Sequence, residues 1–498
     1  MRREAARTLT ELLASALVRE SAAGRFRREG DAYRLGSLRL PLVAEYAFGR
    51  YAWGELPFAD PLALWDSLAP RLPPRGFERV RAELADGLEN ITLSFAAWRE
   101  KELPPLEELG GVDPVFFEGL SLKGHNLHPG AKTRLGFSTA DSRRYAAELG
   151  GEFELRFVGV RRDLLEITGE SLERFFRVEL PDGYGAVPVH PFQRCEVLPE
   201  LYAEEWRSGA LVDSPSRLPV RACTSLRTVS PTDPELPDLK LALEIQATST
   251  VRSMSPHTVR NGPVFSTLFG AIALPRDFTA LGEPGGVRLR AAGRRRERNL
   301  CALMRERIRP RSGEMAVVAS SLTCPYSADC CAGSSLLDAL VALDGRGVRA
   351  FWRDYVRLLL EGHLALLRAA GVGLEAHLQN CVVGFEAGRP RRLYVRDWGG
   401  LRAFGPRLEE GAGRHGLKLD LAPGSKTVVG DLEAVLSKFT YCLLQNHLAE
   451  IAAALLVGET AWEVSERWLW AEVRRQLRSL LGEESAEWRF LTRKTLPP

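Results

Sequence analysis

The chain has 498 residues, of which 45% are hydrophobic and 26% charged, a globular composition that excludes general disorder and suggests two to four domains. With 67 Lys plus Arg against 64 Asp plus Glu, the formal charge is only +3, so no nucleic acid is expected as partner. No unbroken run of about 18 apolar residues is present, so no membrane span or membrane partner is expected.

The N-terminus, MRREAARTLTELLASALVRES, is basic, but Glu11 and Glu20 interrupt the apolar stretch a signal peptide needs. Its leucines follow helical spacing, so a cytoplasmic chain is expected, and eight irregularly placed cysteines fit a reduced compartment. The first hundred residues read as mainly helical, with a clear amphipathic helix over Phe77–Trp98. The turn-rich segment Leu103–Pro114 marks a boundary. In the middle third, Glu152–Val160 and Lys240–Ile245 alternate, and Ala186–His190 and Met315–Ala319 are short β-type runs. Pro/Gly-rich breaks separate them, which suits a largely antiparallel sheet with interspersed helices. The last third returns to helical spacing over Leu336–Leu343, Val348–Ala370, Asp431–Val457 and Ala461–Leu481, interrupted by the strand-like pair Cys381–Phe385 and Leu393–Val395.

Two clusters read as structural. Cys324, Cys330 and Cys331, with Cys301 as a distant fourth, contain no CxxC pair, so reduced thiols are expected rather than zinc. Arg294–Arg298 has no interleaved aromatics and is expected to be a solvated loop. His190, His363 and His447 read as packing residues.

Three other clusters concentrate chemistry. KGHNLHPGAKTRLGFS (Lys123–Ser138) packs His125, His128, Lys132 and Arg134 among glycines, and Ser138 or Thr139 caps a helix with Asp141 in its first turn. Closely spaced cations of this kind suit an anionic ligand. ACTSLRTVSP followed by KLALEIQATSTVR offers Ser225, Arg227, Thr228, Lys240 and Arg252. Cations at the ends of a buried strand need anions, from the protein or from a ligand. EAHLQN, carrying Glu375, His377 and Asn380, precedes a hairpin that ends in LYVRDWGG with Asp397. An Asn and a following Asp hold magnesium on ATP in kinase-type phosphotransferases, so metal–nucleotide chemistry is expected here. No GxxxxGK[ST], GxGxxG or GxSxG motif occurs.

Together these segments resemble the IucA/IucC family, the NRPS-independent siderophore synthetases. KGHNLHPGAKTRLGFS is similar to the family signature GHPxHPxxKxRxGF, and VHPFQ, TSLRT, KLALEIQATSTVR, EAHLQN and VRDWGG resemble its later blocks in the same order. Asn126 stands where the family has proline, and the chain is shorter than typical members. The resemblance implies an α+β cupped hand: a helical thumb (1–110), antiparallel β-rich fingers (111–325) and a mainly helical palm (326–498). It implies an ATP-dependent ligase that adenylates a carboxylate, condenses it with an amine or hydroxyl, and releases AMP and pyrophosphate. Citrate is the family's default carboxylate, with a citryl monoamide or 2-oxoglutarate left open. Dimers are common in such proteins, so the resemblance allows a homodimer.

Carried over residue by residue, the resemblance places Ser225, Arg227, Thr228 and Lys240 on the ATP phosphates with His128 close by. Lys132 and Arg134 become phosphate or structural contacts. Arg252 and His377 would hold the carboxylate, Glu375 and Asp397 would bind Mg2+, and Asn380 would assist there; His128, Lys240, Arg252 and His377 form the catalytic group. Two other readings stand beside it. One is a phosphotransferase resting on Asn380 and Asp397, and the other is a non-catalytic polycarboxylate-binding protein.

Overall fold

A computed structural model describes residues 1–21, 24–327, 334–458 and 463–494. Helices dominate both ends and strands the centre. The central sheet has eight strands, in spatial order Leu165–Gly169, Gly285–Leu289, Cys301–Arg305, Asp238–Leu241, Thr228–Pro231, Leu211–Ala222, Glu152–Arg161 and Tyr184–Val189. Every pairing in it is antiparallel, as the alternating runs and short breaks predict. Its apolar face gathers Leu155, Val158, Val187, Val220, Leu239 and Met304 into one core. A second, larger core joins the N-terminal helix Arg2–Glu20 and the helix Phe77–Arg99 to Val348–Ala370 and the helices beyond it. The two ends of the chain therefore share one interior.

Three local expectations change. The first hundred residues are not helical throughout: between the helices, Arg27–Glu29, Ala32–Leu35, Leu38–Tyr46 and Arg50–Trp53 form a four-stranded antiparallel meander. Its two tight turns begin at Gly30 and Gly36, both at positive φ, and the pairs Gly30-Asp31 and Gly36-Ser37 are hairpin signals of the two-residue type. The strand expected over Lys240–Ile245 runs only from Asp238 to Leu241. Ala242, Leu243 and Ile245 are all buried, so two-sided burial in a bend produces the apolar pattern. The Arg294–Arg298 loop is tied down, with Arg295 on Glu244 at 2.7 Å and Arg298 on Ser253 at 3.1 Å, and Arg296 bonded to Glu205.

Several other local expectations hold for the described residues. Phe77–Arg99 and Val348–Ala370 are helices of 23 residues each. Cys381–Glu386 and Arg389–Val395 form the expected hairpin. Ser138 and Asp141 make a reciprocal capping box. Cys330 and Cys331 lie outside the described residues, while Cys301 and Cys324 are buried free thiols. Leu432–Val457 is long and apolar enough by length and composition to cross a membrane, although no unbroken apolar run led to that expectation; 61% of its apolar window is buried inside the fold.

Candidate active site

The three chemical clusters converge on one cavity of about 720 Å³. One wall comes from the N-terminal helix and the meander, at Arg19, Arg50 and Tyr51. The others come from the Gly-rich segment after Ser121, the Thr224–Arg227 turn, the Ala247–Arg252 bend, the Glu375–Asn380 loop, Asp397, and the helix face at Asn446 and Glu450.

Asp397 organises the chemistry. It lies two residues past the second hairpin strand, with φ at +76°, a conformation costly for a residue with a side chain. Gly399 N donates to Oδ1 at 3.1 Å, and Lys240 Nζ donates to the same oxygen at 2.6 Å. Arg305 stands 3.7 Å from Oδ2 and is itself paired with the buried Glu283 at 3.1 Å. Burial alone would raise the Asp397 pKa, but Lys240, Arg305 and Arg227 hold it well below the usual carboxylate range. Burial lowers the Lys240 pKa, against the pull of Asp397. Lys240 comes from a strand in register with Thr228, so strand pairing fixes both.

The neighbouring cations are less well matched. Among the described residues, Arg227 bonds to the backbone carbonyls of Arg252 and Ser253, the latter at 3.0 Å. Arg252 donates to the hydroxyl of Thr248 at 2.6 Å, and Thr248 also has a positive φ. Burial, then repulsion from Arg227, lowers Arg252 to about 10. Two neighbouring guanidinium groups with no carboxylate bonded to either among the described residues have the chemistry to accept an anion.

Glu375 and Asn380 line the opposite side. Lys438 Nζ donates to Glu375 Oε1 at 2.5 Å. Asn380 Nδ2 donates to the Glu375 carbonyl at 3.1 Å and lies 3.3 Å from His377 Nε2. An amide NH2 can only donate, so His377 Nε2 is the acceptor and Nδ1 carries the proton. Burial keeps the ring neutral by lowering its pKa.

The Gly-rich segment is positioned as much as it positions. Lys132 and Arg134 both donate to Glu148 Oε1, at 2.7 and 2.5 Å, in a buried triad that gives them a structural partner. His128 Nδ1 accepts from Gly130 N at 2.9 Å, and the ring does not line the cavity. His125 lines it instead; burial and the positive charge around it lower its pKa to about 3. Asn126 exchanges amide hydrogen bonds with Asn446 at 3.0 and 3.1 Å and donates to Glu450 at 3.1 Å. Arg50 joins the same cluster through Glu450 and the Gln445 carbonyl.

Of the residues singled out from the sequence, Lys132, Arg134, Ser225, Arg227, Arg252, Glu375, His377, Asn380 and Asp397 line the cavity, and Lys240 reaches it through Asp397. Thr228 is buried in its strand behind the wall. Lys438, Arg305 and Asn446 carry no local motif; only their distant partners reveal them.

Residues 113–324 match the IucA / IucC family, and residues 349–496 match a second family described as ferric iron reductase FhuF-like transporter. Staphyloferrin A synthase of Staphylococcus aureus is 27% identical over 68% of this chain and 60% of its own length, so the chain spans less than two thirds of that relative. Rhizobactin siderophore biosynthesis protein RhbC of Rhizobium meliloti is 27% identical over 93% of this chain and 85% of its own. The solved structure of ATP-bound aerobactin synthetase IucA from Klebsiella pneumoniae superposes with a TM-score of 0.78 at 21% identity, over 97% of this chain and 93% of that one, which establishes a shared fold. This chain is thus related, along most of its length, to the siderophore synthetases of the IucA / IucC family.

Proposed function

We propose that this chain is an ATP-dependent ligase that adenylates a carboxylate, citrate or a citrate derivative, and passes the acyl group to an amine or hydroxyl. The observation that carries the reading is the ion pair of buried Lys240 with Asp397 on the cavity wall, set beside Arg227 and Arg252. A mere anion pocket gains nothing from a carboxylate at its centre, whereas a site for metal-bound triphosphate needs cations and a hard oxygen ligand together. Names of relatives such as D-ornithine--citrate ligase support the substrate class.

In this reading a carboxylate oxygen of the substrate attacks the α-phosphorus. The new O–P bond forms as the bond to the β-phosphate oxygen breaks, and pyrophosphate leaves. The nucleophile then attacks the acyl carbon, the acyl C–O bond breaks, and AMP departs with its electron pair. Ser225, Arg227, Thr228 and Lys240 serve the phosphates, Thr228 by fixing the strand beside Lys240. Preorganised cations suit the charge that builds on the α-phosphate and the leaving group. Arg252 and the Nδ1–H of His377 serve the carboxylate. His128 stabilises the Gly-rich turn, and Lys132 and Arg134 hold that turn to Glu148.

Magnesium usually binds through one or two carboxylates and the substrate phosphates, keeping waters for the rest. Asp397, Glu375 and the Asn380 amide oxygen supply such a donor set on the cavity wall. The described residues hold no cluster of three acidic, His or Cys ligands that would favour a dedicated protein cage. Bound there, the ion would neutralise phosphate charge; Lys240 and Lys438 neutralise the same two carboxylates otherwise.

The test is product analysis with ATP, magnesium, citrate and a panel of amines, with hydroxylamine to trap the adenylate. AMP and pyrophosphate are expected. ADP as the sole nucleotide product would favour a phosphotransferase built on Asn380 and Asp397, and binding without turnover would favour a polycarboxylate-binding protein.

A further inference from the structure

Behind the cavity wall lies an ion pair that the reaction does not touch. Arg396 Nη1 stands 2.6 Å from Glu118 Oε1, and both side chains are buried. The other carboxylate oxygen, Oε2, accepts the backbone N–H of Thr224 at 2.9 Å and also its hydroxyl. Arg396 Nη2 donates to the Gln379 carbonyl at 2.9 Å, and its backbone N donates to the Asn380 carbonyl at 3.1 Å. Thr224 immediately precedes Ser225, and Arg396 immediately precedes Asp397. Thr224, Gln379, Asn380 and Asp397 line the cavity, while Glu118 and Arg396 do not. Burial would raise the Glu118 pKa, but Arg396 and Thr224 hold it down, so the pair is ionic.

A buried ion pair is weak evidence for stability, since desolvation cancels much of its attraction, but its directional bonds fix geometry. We propose that Glu118 and Arg396 form a positioning clamp that sets the spacing between the Ser225–Arg227 turn and the Asn380–Asp397 side of the site. Three segments far apart in sequence meet on these two side chains. A charge at Glu118 holds the turn that presents Ser225 and Arg227, and Arg396 holds the loop and strand end that present Asn380 and Asp397. What the clamp sets the spacing for rests on the ligase reading; that it couples the two sides does not.

Three variants test it: Thr224→Val removes the hydroxyl contact without burying a charge, Arg396→Lys keeps the charge but loses the fork, and the double variant Glu118→Gln with Arg396→Gln removes both charges at once without leaving one unpaired and should accelerate exchange on both sides of the site. With ATP and citrate, Arg396→Lys is expected to raise the KM for ATP or lower kcat roughly tenfold while the KM for citrate changes by less than that, because Arg252 is held by Thr248 and Ile245, outside the clamp. Amide hydrogen exchange on the full chain is the second readout. Thr224→Val should accelerate exchange at residues 379–380 and 396–399, and Arg396→Lys at residues 224–228. A melting temperature that falls while KM, kcat and cross-site exchange stay at wild-type values would overturn the clamp and leave a structural pair. If wild-type protein forms no adenylate, the ligase reading fails, and the exchange data still decide the clamp: acceleration confined to the mutated side overturns it.

Discussion

At Asp397 a strained backbone, two cations and a glycine turn converge on one carboxylate, and the two members of its central pair are not equivalent. Removing Lys240 leaves Asp397 with Arg305 and Arg227 nearby, so Lys240→Met should fold and lose turnover by about 30- to 1000-fold, the range of about 2–4 kcal/mol for one preorganised donor. Asp397→Asn leaves Lys240, only 1% exposed, without its anion, and should lower the melting temperature more than Lys240→Met does. It should also abolish adenylate trapping while citrate affinity, measured calorimetrically, stays near wild type, since Arg252 and His377 remain. Collapse of citrate binding with trapping intact would reverse those role assignments. Asp397 and its cluster were legible because a hairpin pattern ends on a polar residue followed by glycines. Lys438 was not, because nothing near it in sequence announces a partner 63 residues away. His128 and His125 show the same limit: a motif puts two imidazoles in one loop, and only the turn geometry decides which one faces the cavity.

Elements carry the site through a few close approaches. In the helix Val348–Ala370, Tyr355 meets His447 Nε2 at 2.6 Å and Trp352 Nε1 donates to the Leu469 carbonyl at 3.0 Å. The same helix crosses Phe278 at Gly362, where an added Cβ would lie 1.8 Å from the ring. Gly362→Ala should therefore destabilise by about 1–3 kcal/mol or more through overpacking. Gly413, in the helix Gly405–Arg414, has nothing within 4 Å of an added Cβ, and Gly413→Ala should stabilise by about 0.5–1 kcal/mol. Urea titration of both variants checks the pair; equal and small effects would mean that the helix packs differently at Phe278. The long helices were readable because their apolar stripes repeat over many turns. The meander of Arg27–Trp53 was not, because three of its strands have only three or four residues and the nine-residue strand Leu38–Tyr46 carries Pro41 and an exposed Val43 in place of a clean alternation. The π-helical stretch Thr440–Leu448, which carries Asn446 to Asn126, has no sequence signal of its own, although such stretches recur at functional sites.

Across the whole molecule, buried histidine sets how stability responds to acid. Burial lowers His125, His190 and His447 to about 3 and His363 to about 4. An unfolded histidine titrates near 6.5, so between about pH 6.5 and 4 the unfolded chain takes up protons that the native chain refuses. Stability is then full above pH 6.5 and falls as pH drops, by about 2 kcal/mol for each such histidine at pH 5. Asp238 opposes the trend: burial raises it to about 6, so the native state takes up that proton first and gains stability between about pH 6 and 4. Burial raises Asp86 and Glu283 in the same sense and lowers His128 and His377 with the other histidines, so six lowered histidines face three raised carboxylates and the balance falls toward destabilisation by acid. The protein is expected to lose stability as pH falls from about 6.5 toward 4. His190 isolates the effect. Its ring centre sits 4.5 Å from that of Tyr145 and 5.1 Å from that of Phe153, and its Nε2 has no hydrogen-bond partner among the described residues. His190→Phe forfeits the bond from Phe192 N at 3.2 Å, a loss of about 1 kcal/mol at neutral pH, yet it removes one proton from the difference between unfolded and native states. Denaturant midpoints from pH 8 to 5 should show the variant less stable at pH 8 but shallower in its decline, with the two curves crossing between about pH 6 and 5. Parallel curves would mean that His190 takes up its proton within the folded protein and that its aromatic cage opens to admit it.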